Sequence, residues 1–317
     1  MKLLACDVGG TRIKLGLVEE GRLVAQEVIA AHSHLGLGPR LPELAAAFRR
    51  LVAARGLSLG DCAGVAVSFP SIVEPSTGRI LDEYGKYRDA PGIDLRAWAR
   101  GELGLALAID NDARMALIGE WLHGAGRGFE DLVMVTLGTG IGTSALIRGQ
   151  VLRGKHGQAG CLSGHLSVRY GGRACSCGNL GCAEAEASTA FLAEMAGSRP
   201  DFPASALARE PLLDYAAVFR LAAAGDPCAL AIREHSLLVW GTLVVNLIVA
   251  YDPERVIIGG GIAASGDVIM PALRRHIDLH AHTPWGRVQL VRAELGDSSA
   301  LLAGEWILRE QNPVPDN

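Results

Sequence analysis

The chain has 317 residues, 49% of them hydrophobic and 20% charged, which is typical of a globular protein of about two domains and excludes a disordered chain. Its formal net charge is −4 and it contains no basic run, which disfavours nucleic acid as a partner. No export signal is recognisable, and the apolar stretch 237–251, interrupted by Gly241, Thr242 and Asn246, predicts a buried helix too short for a bilayer, so we expect a cytoplasmic protein without a membrane partner.

A strand, a glycine turn and a hairpin open the chain, and the same pattern returns in its second half. Gly10 and Gly21 are eleven positions apart, as are Gly138 and Gly149. Equal spacing in two similar segments predicts an internal duplication. The predicted strands are residues 3–8, 13–18 and 22–29 in the first copy, and 132–137, 143–147 and from 151 onward in the second.

The first glycine turn carries the residue types that bind phosphate. Gly9 and Gly10 allow a close turn, and backbone N–H groups, the Thr11 hydroxyl and Lys14 could meet phosphate oxygens. Asp7 could hold magnesium through water. The alternative is a tight hairpin with an ordinary surface lysine.

The next chemical feature is Asn111-Asp112, between a predicted strand and a predicted helix. A carboxylate there could take the proton from a sugar hydroxyl that attacks phosphorus. Asn and Asp are also good helix N-caps, and that reading stays open. The elements predicted around it are a helix at 41–55, strands at 63–67 and 105–110, and a helix at 113–123.

The second glycine turn, Gly138-Thr139-Gly140-Ile141-Gly142, differs from a dinucleotide fingerprint. That fingerprint needs a further glycine and a following helix, whereas a strand follows here. A phosphate-binding hairpin fits better. Together with the first turn, it predicts a cleft that holds a triphosphate.

Three cysteines lie within eight residues, at Cys175, Cys177 and Cys182, and His165 precedes them by ten. One histidine and three thiolates complete a tetrahedral zinc shell with no open position, which indicates a structural metal. The alternative is three unrelated thiols. Cys161 is not assigned as a ligand.

The last third of the chain predicts a long apolar helix at 228–250, a strand at 255–258 and a final helix at 298–310. The strand leads into Gly259-Gly260-Gly261, where the flat adenosine of a nucleotide could press on the backbone at Gly260 and Gly261. A plain strand-to-helix loop is the alternative. Alternating strands and helices in two halves predict an α/β architecture.

These motifs resemble those of the ROK family of sugar kinases and sugar-responsive repressors, over nearly the whole chain. The segment from Cys175 to Glu184 is similar to the family signature, and Asp7–Lys14 and Gly138–Gly142 look like its two phosphate motifs. The resemblance implies a two-domain actin-like fold (a duplicated ribonuclease H-like fold) with an interdomain cleft. It also implies a discontinuous first domain, 1–112 plus 298–317, and a second domain, 113–297, that carries the zinc loop.

The resemblance further implies transfer of phosphate from ATP to a hexose, usually at the 6-hydroxyl, with magnesium, structural zinc and a homodimer or homotetramer. Asn111 and Asp112 fall at the family's sugar-binding pair, with Asp112 as catalytic base. His165 would be both zinc ligand and sugar contact, and Glu184 would bind sugar hydroxyls.

Two departures from the family pattern concern the sugar. Before the zinc cluster the family usually has Gly-Glu-Ile-Gly-His, whereas this chain has Cys161 in place of the glutamate and one added residue. Ser68 and Ser71 replace two glycines of the usual Gly-x-Pro-Gly. Loss of a carboxylate acceptor can change sugar discrimination strongly.

Glucose is therefore only the first candidate, with an N-acyl-hexosamine, fructose or another hexose open. The main alternative function is a non-catalytic sugar-binding regulator. Family repressors carry a DNA-binding domain before the first phosphate motif, and this chain begins at the Asp7 strand, which favours the kinase. An actin-like ATPase without a sugar is disfavoured by the zinc cluster and Asn111-Asp112.

Overall fold

The computed structural model describes residues 1–74, 76–82 and 85–312, which form two compact units. The first contains Met1–Gly128, Arg153–Ala159 and the chain from Glu294 onward; the second contains Phe129–Leu152 and Gly160–Ala293. Both units are thus discontinuous in sequence. The division differs from the predicted boundaries, because the helix after Asp112 and the segment Arg153–Ala159 group with the first unit.

The first unit is built on a five-stranded sheet with order β3-β2-β1-β4-β5. β1, β2 and β3 are antiparallel neighbours, while β4 pairs parallel with both β1 and β5. The parallel strands are buried, which explains their continuous apolar runs. The strands are β1 (Lys2–Val8), β2 (Arg12–Glu19), β3 (Arg22–Ala30), β4 (Val65–Phe69) and β5 (Leu107–Asn111).

Helices cover this sheet. The two C-terminal helices return to it: Gly304 approaches the side chains of Leu3 and Ala66, and the Gln311 amide bonds the Ile109 backbone. The helices are α1 (Leu41–Ala53), α2 (Leu95–Leu103), α3 (Asp112–His123) and, at the end of the chain, α9 (Ser299–Leu302) and α10 (Gly304–Gln311). The predicted final helix, 298–310, is therefore two helices.

The second unit repeats the same sheet, with order β10-β9-β6-β7-β8. β6, β7 and β8 are antiparallel neighbours and β9 pairs parallel with β6 and β10. Strand for strand this is the order of the first sheet, so the duplication predicted from two glycine turns extends to five strands. The strands are β6 (Leu132–Leu137), β7 (Ile141–Ile147), β8 (Gln150–Val151), β9 (Arg255–Gly259) and β10 (Gln289–Arg292).

A long helix, α7, forms the centre of the second unit's core. It spans Pro227–Tyr251, with Asp226 as its N-cap, and 56% of its most apolar window is buried. Its 25 residues would be long enough to cross a membrane, contrary to the predicted short stretch, but a soluble core helix passes the same test. The other helices are α4 (Ala183–Ala187), α5 (Leu192–Gly197), α6 (Tyr215–Ala223) and α8 (Gly266–His280).

Candidate functional site

The sequence left two roles open for Asn111-Asp112, a helix N-cap and a general base. Asn111 is the N-cap of α3: its side-chain oxygen accepts from the N–H groups of Ala113 and Arg114 at 3.0 and 3.3 Å. Asp112 is the first helical residue, and its Oδ1 accepts from the Asn111 amide at 2.9 Å. Asn111 is thus the N-cap, and Asp112 Oδ1 also accepts from one of the same donors, the Ala113 N–H, at 2.8 Å.

The environment of Asp112 favours its neutral form. Burial raises the pKa of Asp112 to about 6, and the charge of Asp7 adds to the rise, while the Ala113 N–H, Lys86 and the Asn111 amide oppose it. A carboxylate whose pKa lies near neutrality can accept a proton and release it again, which is what a general base requires.

Asp110, just before this pair, is a buried structural anion. Its Oδ1 accepts from the Asn111 N–H and from Arg114 at 2.7 and 3.1 Å, and its Oδ2 accepts from Arg153 at 2.9 Å. Arg114, fully buried, also donates to the carbonyl oxygens of residues 157 and 159. This network, which the sequence analysis did not identify, holds the end of β5 in place.

Asp7 and Lys14 face each other across β1 and β2, with Lys14 Nζ 3.5 Å from Asp7 Oδ2. Lys14 Nζ also lies 3.0 Å from Asp297. The Ser68 hydroxyl donates to Asp7 Oδ1 at 2.7 Å, because β4 continues past its predicted end and pairs Ser68 with Asp7. The serine that replaces a family glycine therefore orients the candidate magnesium residue.

The first glycine turn is closed and supported from outside. Gly9 donates its N–H to the Arg12 carbonyl, and a Cβ on Gly9 would lie 2.7 Å from that oxygen. The Tyr87 hydroxyl donates to the Gly9 carbonyl at 2.7 Å, and the Ser33 hydroxyl to the Gly10 carbonyl at 2.8 Å. Thr11 is exposed at the tip. Tyr87 and Ser33 carry no sequence motif that would have identified them.

The second glycine turn is held by the segment that follows the cysteines. Gly138 and Thr139 accept from the backbone N–H groups of residues 189 and 190, at 3.1 and 2.9 Å. Glu184 Oε2 accepts from the Ile141 N–H at 2.9 Å, and a Cβ on Gly140 would lie 2.4 Å from this carboxylate oxygen. Glu184, predicted to bind sugar, thus contacts the hairpin.

Gly260 has a structural reason to be glycine. Its φ is +87°, and a Cβ there would lie 2.3 Å from the backbone oxygen of Leu137, where β6 ends. Gly261 is exposed, with no atom within 4 Å of its Cβ position. A plain strand-to-helix loop is therefore enough to explain why residue 260 is glycine. Beside Gly261 there is open space for a ligand.

His165, Cys175, Cys177 and Cys182 converge, with their ligand atoms all within 4.8 Å of one another. Cys175 Sγ lies 3.5 Å from His165 Nδ1, and Cys177 Sγ 3.7 Å from Cys182 Sγ. A tetrahedral shell with metal–sulfur bonds of about 2.3 Å has edges of about 3.8 Å. The four side chains are therefore spaced to hold a metal ion.

Cys161, at the position of the family glutamate, is buried and only 4% exposed. The neighbouring Ser163 donates its N–H to the Thr143 hydroxyl at 2.9 Å, and its own hydroxyl lies 3.2 Å from that of Tyr251. The added residue is accommodated in a short helical turn, Ser163–His165.

Within the first unit the structure thus describes Asp7, the first turn, Lys14 and the Asn111-Asp112 pair. Within the second it describes the second turn, the metal cluster and the Gly260 loop. Each set lies at the edge of its sheet that holds the carboxyl ends of its parallel strands, β1 and β4 in the first unit and β6 and β9 in the second.

A model of the ROK family matches residues 3–311. A glucokinase from Halalkalibacterium halodurans is 32% identical over 314 residues, which cover 96% of this chain and 94% of the glucokinase.

Two solved structures are similar over almost their full lengths. A ROK hexokinase from Thermus thermophilus has 30% identity and a TM-score of 0.76, with 96% of both chains covered. A ROK family glucokinase from Streptomyces griseus, in complex with glucose and AMPPNP, has 26% identity and a TM-score of 0.79, with 98% of this chain and 100% of that one covered. These neighbours have the actin-like two-domain fold, so the predicted fold class is confirmed.

Proposed function

The chain belongs to the ROK family and is a sugar phosphotransferase, and we propose that it transfers the γ-phosphate of ATP to the 6-hydroxyl of a hexose, with glucose as the first candidate. One observation carries the proposal: the Asp112 carboxylate lies partly buried beside the Asn111 N-cap, and burial raises its pKa to about 6. This is the state required of a base that takes a proton from a sugar hydroxyl.

In the proposed reaction the sugar hydroxyl gives its proton to Asp112 while its oxygen bonds to the γ-phosphorus. The bond from that phosphorus to the bridging oxygen breaks, and ADP leaves with the electron pair. General-base help is worth about 10²–10⁴-fold. Positioning and charge neutralisation supply the rest.

The nucleotide would be bound by Gly9, Gly10, Thr11 and Lys14 of the first unit. From the second unit we propose Gly138, Thr139, Gly140, Gly260 and Gly261 as nucleotide contacts. Asp7 would hold a magnesium ion through water, since magnesium retains much of its hydration. The Ser68 hydrogen bond to Asp7 Oδ1 supports this role, because it fixes one oxygen of the carboxylate.

We propose zinc as the metal of the Cys/His cluster. Three thiolates and one imidazole at tetrahedral spacing suit zinc, and a closed shell leaves the ion a structural task. The cluster would fix the ends of the loop from His165 to Cys182.

The sugar would be contacted by Asn111, Asp112, His165 and the second oxygen of Glu184. Cys161 supplies a buried thiol instead of a carboxylate, so one sugar hydroxyl would lose a strong acceptor. We therefore propose hexoses as the substrate class rather than one particular sugar.

We further propose a cytoplasmic homodimer or homotetramer. Glucokinase relatives and the use of ATP support the location. An outward stripe on α7, with Leu238 56% and Val249 71% exposed, supports association.

The test is a panel of hexoses with ATP and magnesium, read by ADP release. The panel contains glucose, mannose, fructose, N-acetylglucosamine and N-acetylmannosamine. We expect sugar-dependent release with at least one hexose and a phosphorylated product at its 6-position. Sugar binding without ADP release across the panel would instead indicate the regulator, and neither binding nor release would remove the sugar kinase.

A further inference from the structure

We propose that Lys86 binds the γ-phosphate of ATP at the first glycine turn and stabilises the charge that develops on it during transfer. The inference rests on the proposed kinase function. It adds a phosphate-binding residue that the glycine motifs do not contain.

The position of the side chain is the first observation. A Cβ on Gly10 would lie 3.0 Å from Lys86 Cε, 3.1 Å from Cδ and 3.3 Å from Nζ. The lysine therefore lies directly against the turn, and its ammonium is beside the backbone that would meet phosphate. A larger residue at position 10 would displace it.

The backbone that carries Lys86 is fixed by its neighbour. Tyr87 has φ +54°, a left-handed conformation that is unfavourable for a bulky residue. It is held there by complete burial, by its hydroxyl bond to the Gly9 carbonyl and by its N–H bond to the Ser33 carbonyl at 3.0 Å. Ser33 and Tyr87 also support the turn, so the backbone next to Lys86 is tied to the turn.

The balance of charges is the second observation. Lys14, the cation expected from the motif, is already paired with Asp7 and Asp297. Lys86 has no carboxylate within 4.0 Å among the described residues. The positive charge of Lys86 lowers the pKa of Asp112, whereas the negative charge of Asp7 raises it. Lys86 thus lies against the phosphate turn, and its charge also lowers the pKa of the proposed base.

That location suits the reaction. The transferred phosphoryl group carries spread negative charge, and a preorganised cation beside it stabilises the transition state. The same cation favours the ionised form of Asp112, which is the form that can accept the hydroxyl proton.

The test compares Lys86→Met and Lys86→Arg with Arg88→Met, an exposed cation two residues away on the same loop. Affinities for AMPPNP and ADP, kcat, its pH profile and Tm are measured for each. Lys86→Met should lower kcat on the order of 10²-fold. It should weaken AMPPNP but not ADP and move the acid limb of the profile to higher pH at unchanged Tm.

Lys86→Arg should recover most of the loss, and Arg88→Met should match the parent. Equal AMPPNP and ADP effects, an unmoved acid limb, or a loss that follows Tm would each overturn the proposal. If the parent shows no sugar phosphorylation, the proposed function fails, while the AMPPNP-to-ADP comparison still decides whether Lys86 contacts the γ-phosphate.

Discussion

The two glycine turns have the same place in duplicated sheets but different chemistry. The last strand pairs before the turns are Val8 with Ile13 and Leu137 with Ile141. One pair further back, the first copy has Asp7 opposite Lys14, whereas the second has Thr136 opposite Gly142. The charges that could hold magnesium and phosphate are therefore found in one copy only.

Their supports differ as well. The first turn is held by hydroxyls from residues 33 and 87. The second is held by Glu184, two residues after Cys182, and by Gly164, whose Cβ would lie 2.0 Å from the Ile141 carbonyl. The two copies therefore share a backbone arrangement, whereas the charged pair belongs to the first unit and the candidate metal cluster belongs to the second.

The largest effect is expected from removing the charge of Asp112 in the first unit. Asp112→Asn should lower kcat by about 10²–10⁴-fold with sugar and AMPPNP binding retained. Since burial raises the pKa of Asp112, the native state binds more protons than the unfolded chain between the ordinary aspartate pKa and about 6. Stability contributed by this proton is lost as pH rises, so the variant should melt no lower than the parent at pH 7.5.

The matched control is Asp94→Asn, an exposed N-cap of α2 that should keep full activity. In the parent, kcat should fall about tenfold per pH unit below about 6, because Asp112 becomes protonated. Unchanged turnover in Asp112→Asn would remove this residue as the base.

An intermediate effect is expected from removing the metal support of the second turn. Cys177→Ser should lose the metal, lower Tm and, by misplacing the hairpin, reduce kcat/KM for ATP by up to about 10²-fold. Metal content by mass spectrometry and ATP kinetics measure this. Cys62→Ser, a buried thiol of the first unit, should keep its metal; full metal content in Cys177→Ser would contradict the ligand assignment.

A smaller effect is expected within the hairpin itself. Gly140→Ala would press on Glu184 and should raise KM for ATP about tenfold, the equivalent of about 1.4 kcal/mol. The control is Gly197→Ala, at the exposed end of α5, where no atom lies within 4 Å of the Cβ position; it should change KM little. Equal kinetics of the two variants would mean that the Glu184 contact does not support nucleotide binding.

Elements with clear periodicity could be predicted from the sequence, and so could the duplication. The helix α8 was not predicted, because Pro271 lies inside it and glycines surround its start. β10 was missed since it is four residues long and only half-buried. Such short edge elements depend on the sheet they join rather than on their own pattern.

Some residues of the candidate site could likewise be predicted from the sequence, and others could not. Local motifs were enough to predict Asp7, Asp112 and the cysteines as candidates, because their spacing is itself chemical information. Tyr87, Ser33 and the Asp110–Arg114 network could not be identified, since their partners are distant in sequence and meet only in the folded sheet. Ser68 was noted as a departure, but its bond to Asp7 required knowing that β4 extends to Phe69.

The return of α9 and α10 to the first sheet has a consequence for synthesis on the ribosome. Leu3 and Ala66 can pack against Gly304 only after residues 129–293, which contain the whole second unit, have been translated. The first sheet therefore keeps an apolar face uncovered until α9 and α10 have been made. The second unit, in contrast, can complete its fold before that point. A nascent chain of this protein should present its N-terminal sheet to chaperones longer than its second sheet, opposite to the usual order in which the first-made domain folds first.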